Sequence, residues 1–205
     1  MVMRKPTRRL SQDDWAAAAL AALARGGLEA IAVEPIAQTL GATKGSFYWH
    51  FKNRDALVEA ALKLWEQRHT DKVIEYLERE PDPARRLRML IEGAYEKGPG
   101  DRVEIALLAN PSHRAARRAL QRVAERRLRY LADQLEALGW EPDEARDRAT
   151  LIGYVYVGSM QMTHVAPKLA DAGTRRRRVD LVFNTLIAGG VLPPAADPSS
   201  AEVDA

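Results

Sequence analysis

The segment 33–54 reads VEPIAQTLGATKGSFYWHFKNR and predicts two short helices joined by a tight turn, followed by the start of a third helix. Its first apolar repeat has helical spacing and ends at Gly41, because glycine adopts left-handed backbone angles at little steric cost. Thr43 is suited to cap the next helix through its hydroxyl group. That helix is only about two turns long and is not stable alone in water, so we expect the rest of the domain to hold it.

The helix predicted over residues 44–50 has two different faces. Phe47 and Phe51 are four residues apart, share one face and are expected to anchor the helix to a core. The outer face carries an ammonium group, hydroxyls, an indole and an imidazole, which all form hydrogen bonds. A core position for Tyr48 and Trp49 is the alternative, but the two phenylalanines already occupy the inward face.

Positive charge lies at the start of two predicted helices. Asn53 is expected to cap the third helix, with Arg54 in its first turn. A cation at a helix N-terminus opposes the helix dipole by about 0.3 to 1 kcal/mol. Lys44 and Arg54 both occupy such positions, which favours an anion bound against both helix ends. A DNA phosphate is such an anion and also accepts hydrogen bonds from free N–H groups.

At these residues the chain resembles the TetR family of one-component transcriptional repressors, and YWHFKN resembles the DNA-contact segment of tetracycline repressors. The family pattern is a capped helix, a GG-like break, a helix ending in Leu-Gly and a small-x-x-Lys-Gly-Thr/Ser-aromatic-Tyr-x-His/Tyr-Phe segment. It covers residues 10–57, about a quarter of the chain. The chain departs from it at Ala32, where a capping threonine is common, and at Glu34 and Pro35, which replace a frequent basic residue and its neighbour. Proline suits a first helical turn, but one phosphate contact expected from the family lacks its basic residue.

The resemblance implies two groups of DNA-contact residues. The group that holds the phosphate backbone consists of Tyr48, His50, Arg54 and the cap Thr43. The group nearer the base edges consists of Lys44, Ser46 and Trp49. Lysine is suited to the guanine acceptors of the major groove.

Composition limits the class of protein. The chain has 205 residues, 46% of them apolar, which is enough for one or two domains with a buried core. It lacks a run of 18 uncharged apolar residues, and its basic start, MVMRKPTRRL, is not followed by a signal-peptide stretch. We therefore expect a cytoplasmic protein without a membrane partner. The absence of cysteine excludes disulfides, thiolate catalysis and zinc–thiolate sites.

The positive charge is concentrated near the N-terminus. Residues 1–54 carry eight Lys or Arg against four Asp or Glu, a balance of +4, whereas the whole chain has a net charge of +3. This is the distribution expected of a small nucleic-acid reader attached to a neutral body. The arm 1–10 contains four of these basic residues and either enters a minor groove or is a solvated terminus that attracts DNA diffusely.

Beyond residue 54 the pattern is helical, without an alternating strand. A long helix over 55–77 is predicted to begin beside the DNA reader and run into the body, and two prolines follow it. The arginine-rich helix within 112–138 is either a second nucleic-acid surface or an exposed face whose arginines pair with acidic residues of another helix.

The segments 141–168 and 175–190 predict a subunit interface. Each is apolar on most sides, and a helix of that kind must be covered on all sides. One side can face its own domain and the other a partner subunit. In the resemblance, the last two long helices of each subunit form a four-helix dimer interface, so we expect a homodimer.

The resemblance also implies an apolar effector cavity in the helical body, of the kind where small molecules bind. The candidate lining residues are Trp65, Met89, Tyr95, Leu107, Tyr154, Met160 and His164. Taken singly, each also fits a plain core residue, and His164 also fits a local hydrogen bond. The chain contains no glycine-rich phosphate loop, G-x-S-x-G or H-E-x-x-H motif. We therefore predict no catalytic residue, cofactor or metal.

The sequence thus predicts an all-α protein of about nine helices. Residues 1–54 are expected to form a three-helix helix-turn-helix DNA-binding domain with its motif at about 32–51, 55–192 a helical effector-binding and dimerisation domain, and 193–205 a disordered tail. The predicted function is a homodimeric repressor that binds a palindromic operator in double-stranded DNA and is released by a small-molecule effector. The alternatives are a DNA-binding regulator without such an effector, which is constitutive or controlled by a protein, and an all-helical enzyme or interaction module that retains the head.

Overall fold

The computed structural model describes residues 9–96, 102–166, 168 and 172–189, and this part of the chain is helical without a strand. The predicted arm up to residue 8 and the predicted tail lie outside the described residues. The α-helices are α1 Gln12–Gly26, α2 Val33–Thr39, α3 Lys44–Tyr48, α4 Arg54–Glu66, α5 Lys72–Leu77, α6 Pro83–Glu96, α7 Arg102–Leu108, α8 Arg114–Ala137, α9 Pro142–Val165 and α10 Ala172–Val182. A π turn, Gln67–Asp71, joins α4 to α5 without a break, so the described residues form nine separate helices.

Local sequence signals set the bounds of α1. The Ser11 hydroxyl accepts a hydrogen bond from the Asp14 backbone N–H at 3.2 Å, and the Ser11 N–H donates to the Asp14 carboxylate at 2.8 Å. This reciprocal pair satisfies two N–H groups that the helix start leaves free. At the other end Gly27 has a φ of 70°, a left-handed conformation that glycine tolerates. The chain therefore turns into the short 3-10 turn Leu28–Ala30 that precedes α2.

The first hydrophobic core surrounds Trp15 and Phe47, which are both fully buried. It joins α1, α2 and α3 to α4, and it continues into α7 and the N-terminal half of α8 through Leu107, Ala116 and Val123. The three N-terminal helices therefore rest on a core that they share with the body.

The predicted long helix of residues 55–77 is present as α4, the π turn and α5. A π turn holds one more residue than an α turn and often marks a functional site. We call α4, the π turn and α5 together, residues 54–77, the rod. The arginine-bearing face of α8 packs along the rod, which confirms that arginines of α8 pair with acidic residues of another helix. The pairs are Arg118–Glu59 at 2.6 Å, Arg122–Glu66 at 2.5 Å and Arg126–Asp71 at 3.8 Å.

The second hydrophobic core packs α6, the C-terminal half of α8, α9 and α10 together. The outward side of α9 is not covered by this core. Its exposed apolar side chains are Leu151, Tyr154, Val155, Val157, Met162 and Val165. Among the described residues, no helix has the combination of length and apolar character that crossing a membrane requires.

Candidate nucleic-acid interface

The second helix of the helix-turn-helix, α3, begins as its sequence predicts. The Thr43 hydroxyl accepts a hydrogen bond from the Ser46 backbone N–H at 3.2 Å, so Thr43 is the predicted cap. Gly41 in the preceding turn has a φ of 63°, which makes it the left-handed residue that ends α2. The helix spans only Lys44–Tyr48, two residues fewer than predicted. The turn therefore fixes where α3 begins. Because α3 is so short, packing of its own side chains must hold the helix in place.

Aromatic packing supplies that support. Phe47 is fully buried, and its ring stacks on the ring of Phe51 with 5.7 Å between centroids. The rings of Trp15 from α1 and Phe47 meet edge to face with 5.5 Å between centroids, an arrangement that aromatic rings favour. The side-chain amide of Gln12 donates to the His50 carbonyl at 2.9 Å and holds the backbone two residues after the end of α3. The two phenylalanines thus anchor the helix as predicted.

The opposite face of α3 is open to solvent. Trp49 is 87% exposed and Tyr48 57% exposed, so neither occupies the core position considered as an alternative. Lys44 is exposed beside them, as is the cap Thr43, whereas Ser46 and His50 are half-buried at the edge of this face. We call these six residues, 43, 44, 46 and 48–50, the contact face. Their assignment to DNA contact remains a prediction.

Arg54 behaves differently from the other predicted contact residues. Its Nε donates to the Ile31 carbonyl at 2.5 Å, and one terminal nitrogen donates to the Leu28 carbonyl at 2.6 Å. These carbonyls lie at the 3-10 turn Leu28–Ala30 and its C-cap Ile31, just before α2. The guanidinium therefore ties the start of α4 to the start of the motif. This contact, which the sequence did not predict, gives Arg54 a positioning role, and its predicted phosphate contact stays a prediction.

The exposed start of α3 also carries an ion pair. The Lys44 Nζ lies 2.5 Å from Oε1 of Glu34 in the first turn of α2. The hydrogen bond to Glu34 raises the pKa of Lys44, and the same bond lowers the pKa of Glu34. Both groups are therefore charged at neutral pH. In the sequence Glu34 stands out only as a departure from the family pattern. The signal for the ion pair is the presence of opposite charges in the first turns of two successive helices.

Asn53 caps α4, the helix that connects the helix-turn-helix to the body. Its side-chain oxygen accepts a hydrogen bond from the Ala56 N–H at 2.9 Å. We expect Asn53→Ala to lower the unfolding free energy by about 1 kcal/mol, which corresponds to a thermal midpoint about 2 to 4 °C lower. Asn53→Asp, which keeps the acceptor, should retain the wild-type midpoint in thermal unfolding. Equal midpoints for the alanine and aspartate variants would show that the cap adds no stability.

The seven predicted effector residues differ in their burial, and their assignment to an effector site remains a prediction. Trp65 and Leu107 are fully buried in the first core, and Met160 is also buried. Met89 is half-buried, Tyr154 and His164 are exposed on α9, and the side chain of Tyr95 lies outside the described residues. Helical spacing places core and cavity residues on the same inward face, so it did not separate the two. A surface cleft of about 350 Å³ is lined by none of the seven, but by Glu59, Ala60, Lys63, Glu66 and Arg122.

A buried ion pair, which the sequence did not predict, links the rod to the body. Glu104 of α7 is 5% exposed, and Arg127 of α8 donates to its two carboxylate oxygens at 3.0 and 2.9 Å. The same guanidinium donates to the Thr70 hydroxyl and the His69 carbonyl of the π turn, both at 3.2 Å. The Tyr156 hydroxyl of α9 donates to the Glu104 carboxylate at 3.3 Å. One arginine thus joins the π turn, α7 and, through Glu104, α9.

Within the described residues, no group of three or more histidine or acidic side chains is placed to hold a metal ion. The polar groups of the contact face are donors and hydroxyls spread over one exposed surface. Such a surface is suited to binding an extended anion rather than to enclosing a small substrate.

Comparison with known proteins agrees with this geometry. Residues 16–68 match the family of bacterial regulatory proteins of the tetR type. No curated protein matches the chain. The match spans α1 to the π turn, the part of the chain that builds and supports the contact face.

Most of the fold is similar to that of solved proteins described as transcriptional regulators. A regulator from Rhodococcus sp. Rha1 is 23% identical, with 90% of this chain and 100% of that chain covered and a TM-score of 0.69. A regulator from Saccharomonospora viridis, solved in complex with choline, is 17% identical, with 84% and 95% covered and a TM-score of 0.72. FadR from Bacillus subtilis, solved in complex with stearoyl-CoA, is 17% identical, with 86% and 98% covered and a TM-score of 0.66.

Proposed function

We propose that this chain, whose N-terminal domain belongs to the tetR family of bacterial regulatory proteins, is a homodimeric transcriptional repressor controlled by a small molecule. The observation that carries the proposal is the contact face: Tyr48 and Trp49 are exposed while Phe47 beneath them is fully buried. Residues 1–54 form the DNA-binding domain, and residues 55–192 bind the effector and the second subunit. The effector weakens operator binding.

The contact face supports entry of α3 into a major groove. Tyr48, His50 and Thr43 bind phosphate oxygens and set the orientation of the helix. Lys44, Ser46 and Trp49 contact base edges, where an ammonium group favours the O6 and N7 acceptors of guanine. Arg54 fixes the start of α4 to the segment before α2 through its two backbone carbonyl contacts and so positions the motif.

Replacing Lys44 by alanine tests this assignment. Loss of a base contact is expected to weaken operator binding by about 5- to 150-fold, without a change in the thermal midpoint, because the side chain is more than half exposed. The measurement is a fluorescence or gel-shift titration with the DNA upstream of the protein's own gene, at a fixed physiological salt concentration.

Lys63→Ala is the matched control, since it removes the same charge from an exposed position on α4. It should leave operator affinity almost unchanged. If both variants weaken binding equally, Lys44 contributes only general charge. If the wild-type protein shows no preference for that DNA over random DNA, the operator assignment fails.

The uncovered side of α9 supports a homodimer. Its exposed apolar residues recur at positions 151, 155, 158, 162 and 165, a spacing of three and four residues that forms one stripe along the helix. Gly158 lies in the middle of this stripe, and a Cβ added there would meet no atom within 4 Å. On α10, Leu181 is 65% exposed. We propose that α9 and α10 pack against the same helices of a second copy, which holds two contact faces about 34 to 36 Å apart.

The contacts between Arg127 and the π turn suggest how an effector could control DNA binding. A ligand that binds the body better when Arg127 has left Thr70 and His69 would free the π turn and let α4 tilt. A preference of about 1 to 3 kcal/mol for the tilted form weakens operator binding by about 5- to 150-fold. We propose an apolar or cationic effector, since solved proteins of this fold hold choline and stearoyl-CoA. The seven candidate residues, except the core residues Trp65 and Leu107, are the first positions to test.

A regulator without a small-molecule effector is the second candidate. The full burial of Trp65 and Leu107 in a packed core favours it, because neither side chain lines open space. A thermal-shift screen of the full-length protein with lipophilic cations, acyl-CoA esters and antibiotics separates the two. A ligand that raises the midpoint and also weakens operator binding supports the first candidate, and a screen without such a ligand supports the second.

A further inference from the structure

We propose that Glu34 and Lys44 act together as a reader of one G·C base pair in the operator. The inference rests on the proposed DNA-binding function and names a specificity determinant for it. The two side chains lie 2.5 Å apart at the starts of α2 and α3, and they are 64% and 57% exposed. Both remain accessible to a ligand that approaches the contact face.

The ion pair can dock on DNA without breaking. The Lys44 ammonium has three N–H donors, and Glu34 occupies one of them. Guanine presents O6 and N7 as adjacent acceptors, and its paired cytosine presents an N4 donor. Guanine O6 and cytosine N4 are joined by a Watson–Crick hydrogen bond of about 2.9 Å, close to the 2.5 Å between Lys44 Nζ and Glu34 Oε1. The ammonium therefore contacts guanine while the carboxylate accepts from cytosine N4.

An A·T pair does not present this arrangement. Adenine places its N6 donor next to N7, and thymine has a single O4 acceptor beside a methyl group. The ammonium thus finds two adjacent acceptors only on guanine. The Glu34 carboxylate also repels the negatively charged DNA phosphates, which lowers the affinity for DNA that lacks a matching base pair. Glu34 therefore increases specificity in two ways, by accepting from cytosine and by weakening non-specific binding.

Selection of binding sites from a randomised DNA library, with the full-length protein, tests the proposal. The variants are the wild type, Glu34→Ala and the control Glu136→Ala, which removes the same charge from an exposed position on α8. Affinities are then measured for the selected operator, for the operator with its G·C pair replaced by A·T, and for random DNA at the same salt concentration. Thermal unfolding checks that each variant is folded.

The wild type should fix a G·C pair at one position of each half-site, and its replacement by A·T should weaken binding by about 5- to 150-fold. Glu34→Ala should reduce this ratio at that position alone and bind random DNA more tightly. Glu136→Ala should match the wild type in both measurements.

Two results overturn the inference, and they are distinguishable. If the wild type selects a palindrome and Glu34→Ala discriminates at every position as the wild type does, Glu34 is not a base reader, while the proposed function stands. If the wild type selects no sequence at all, the proposed function and this inference fail together.

Discussion

Replacing Gly158 by glutamate is expected to convert the proposed homodimer into a monomer and to weaken operator binding by about 10²- to 10⁴-fold, the gain that linking two half-site contacts provides. Gly158 lies in the middle of the exposed apolar stripe of α9, and a Cβ there meets no atom within 4 Å of its own chain. Glutamate is therefore accommodated in one subunit. In the dimer it would bury an unpaired charge between apolar helices, which is strongly unfavourable.

Sedimentation and light scattering report the subunit number, and a titration with the selected operator reports the affinity. Gly93→Glu is the matched control, because a Cβ at Gly93 of α6 also meets no atom within 4 Å. Both substitutions remove a helix glycine, which favours the helix by about 0.5 to 1 kcal/mol. The control should remain dimeric. A dimeric Gly158→Glu variant with full operator affinity would show that α9 does not form the interface.

The features that the sequence predicted depend on neighbours within a few residues. The cap at Thr43 acts over three residues, and the anchors Phe47 and Phe51 lie one helical turn apart. Such spacing is fixed by helix geometry. The arginine face of α8 was also predictable as a paired surface, because Arg118 and Arg122 have few acidic neighbours on their own helix and must find partners elsewhere.

The features that were missed join residues distant in sequence. Lys44 and Glu34 belong to different helices, and the packing angle of those helices decides whether their head groups meet. Arg54 binds carbonyls 23 and 26 residues earlier in the chain. A phosphate contact and a carbonyl contact require the same guanidinium at the same helix position, so the sequence did not distinguish them. Whether the predicted effector residues line a cavity also depends on contacts between helices, since inward spacing predicts burial but not empty space.

Replacing Arg127 by methionine is expected to lower the unfolding free energy by about 3 to 5 kcal/mol, because it leaves the Glu104 carboxylate buried and without its main partner. The side chain of Glu104 is 7% exposed and that of Arg127 25% exposed, so solvent screens the pair only weakly. The thermal midpoint should fall by about 6 to 20 °C for a chain of this size. Hydrogen exchange should also become faster at residues 67–71, since Arg127 holds the Thr70 hydroxyl and the His69 carbonyl.

Arg126→Met is the matched control for this measurement. Arg126 is the adjacent residue of the same helix, and its pair with Asp71 is 3.8 Å long and about half exposed on both sides. Its loss should change the unfolding free energy by about 0 to 1 kcal/mol. The double variant Arg127→Met with Glu104→Met removes the orphaned charge and should recover most of the lost stability. If it does not recover, the contacts to the π turn supply the stability, and Arg127 fixes the rod directly rather than by neutralising Glu104.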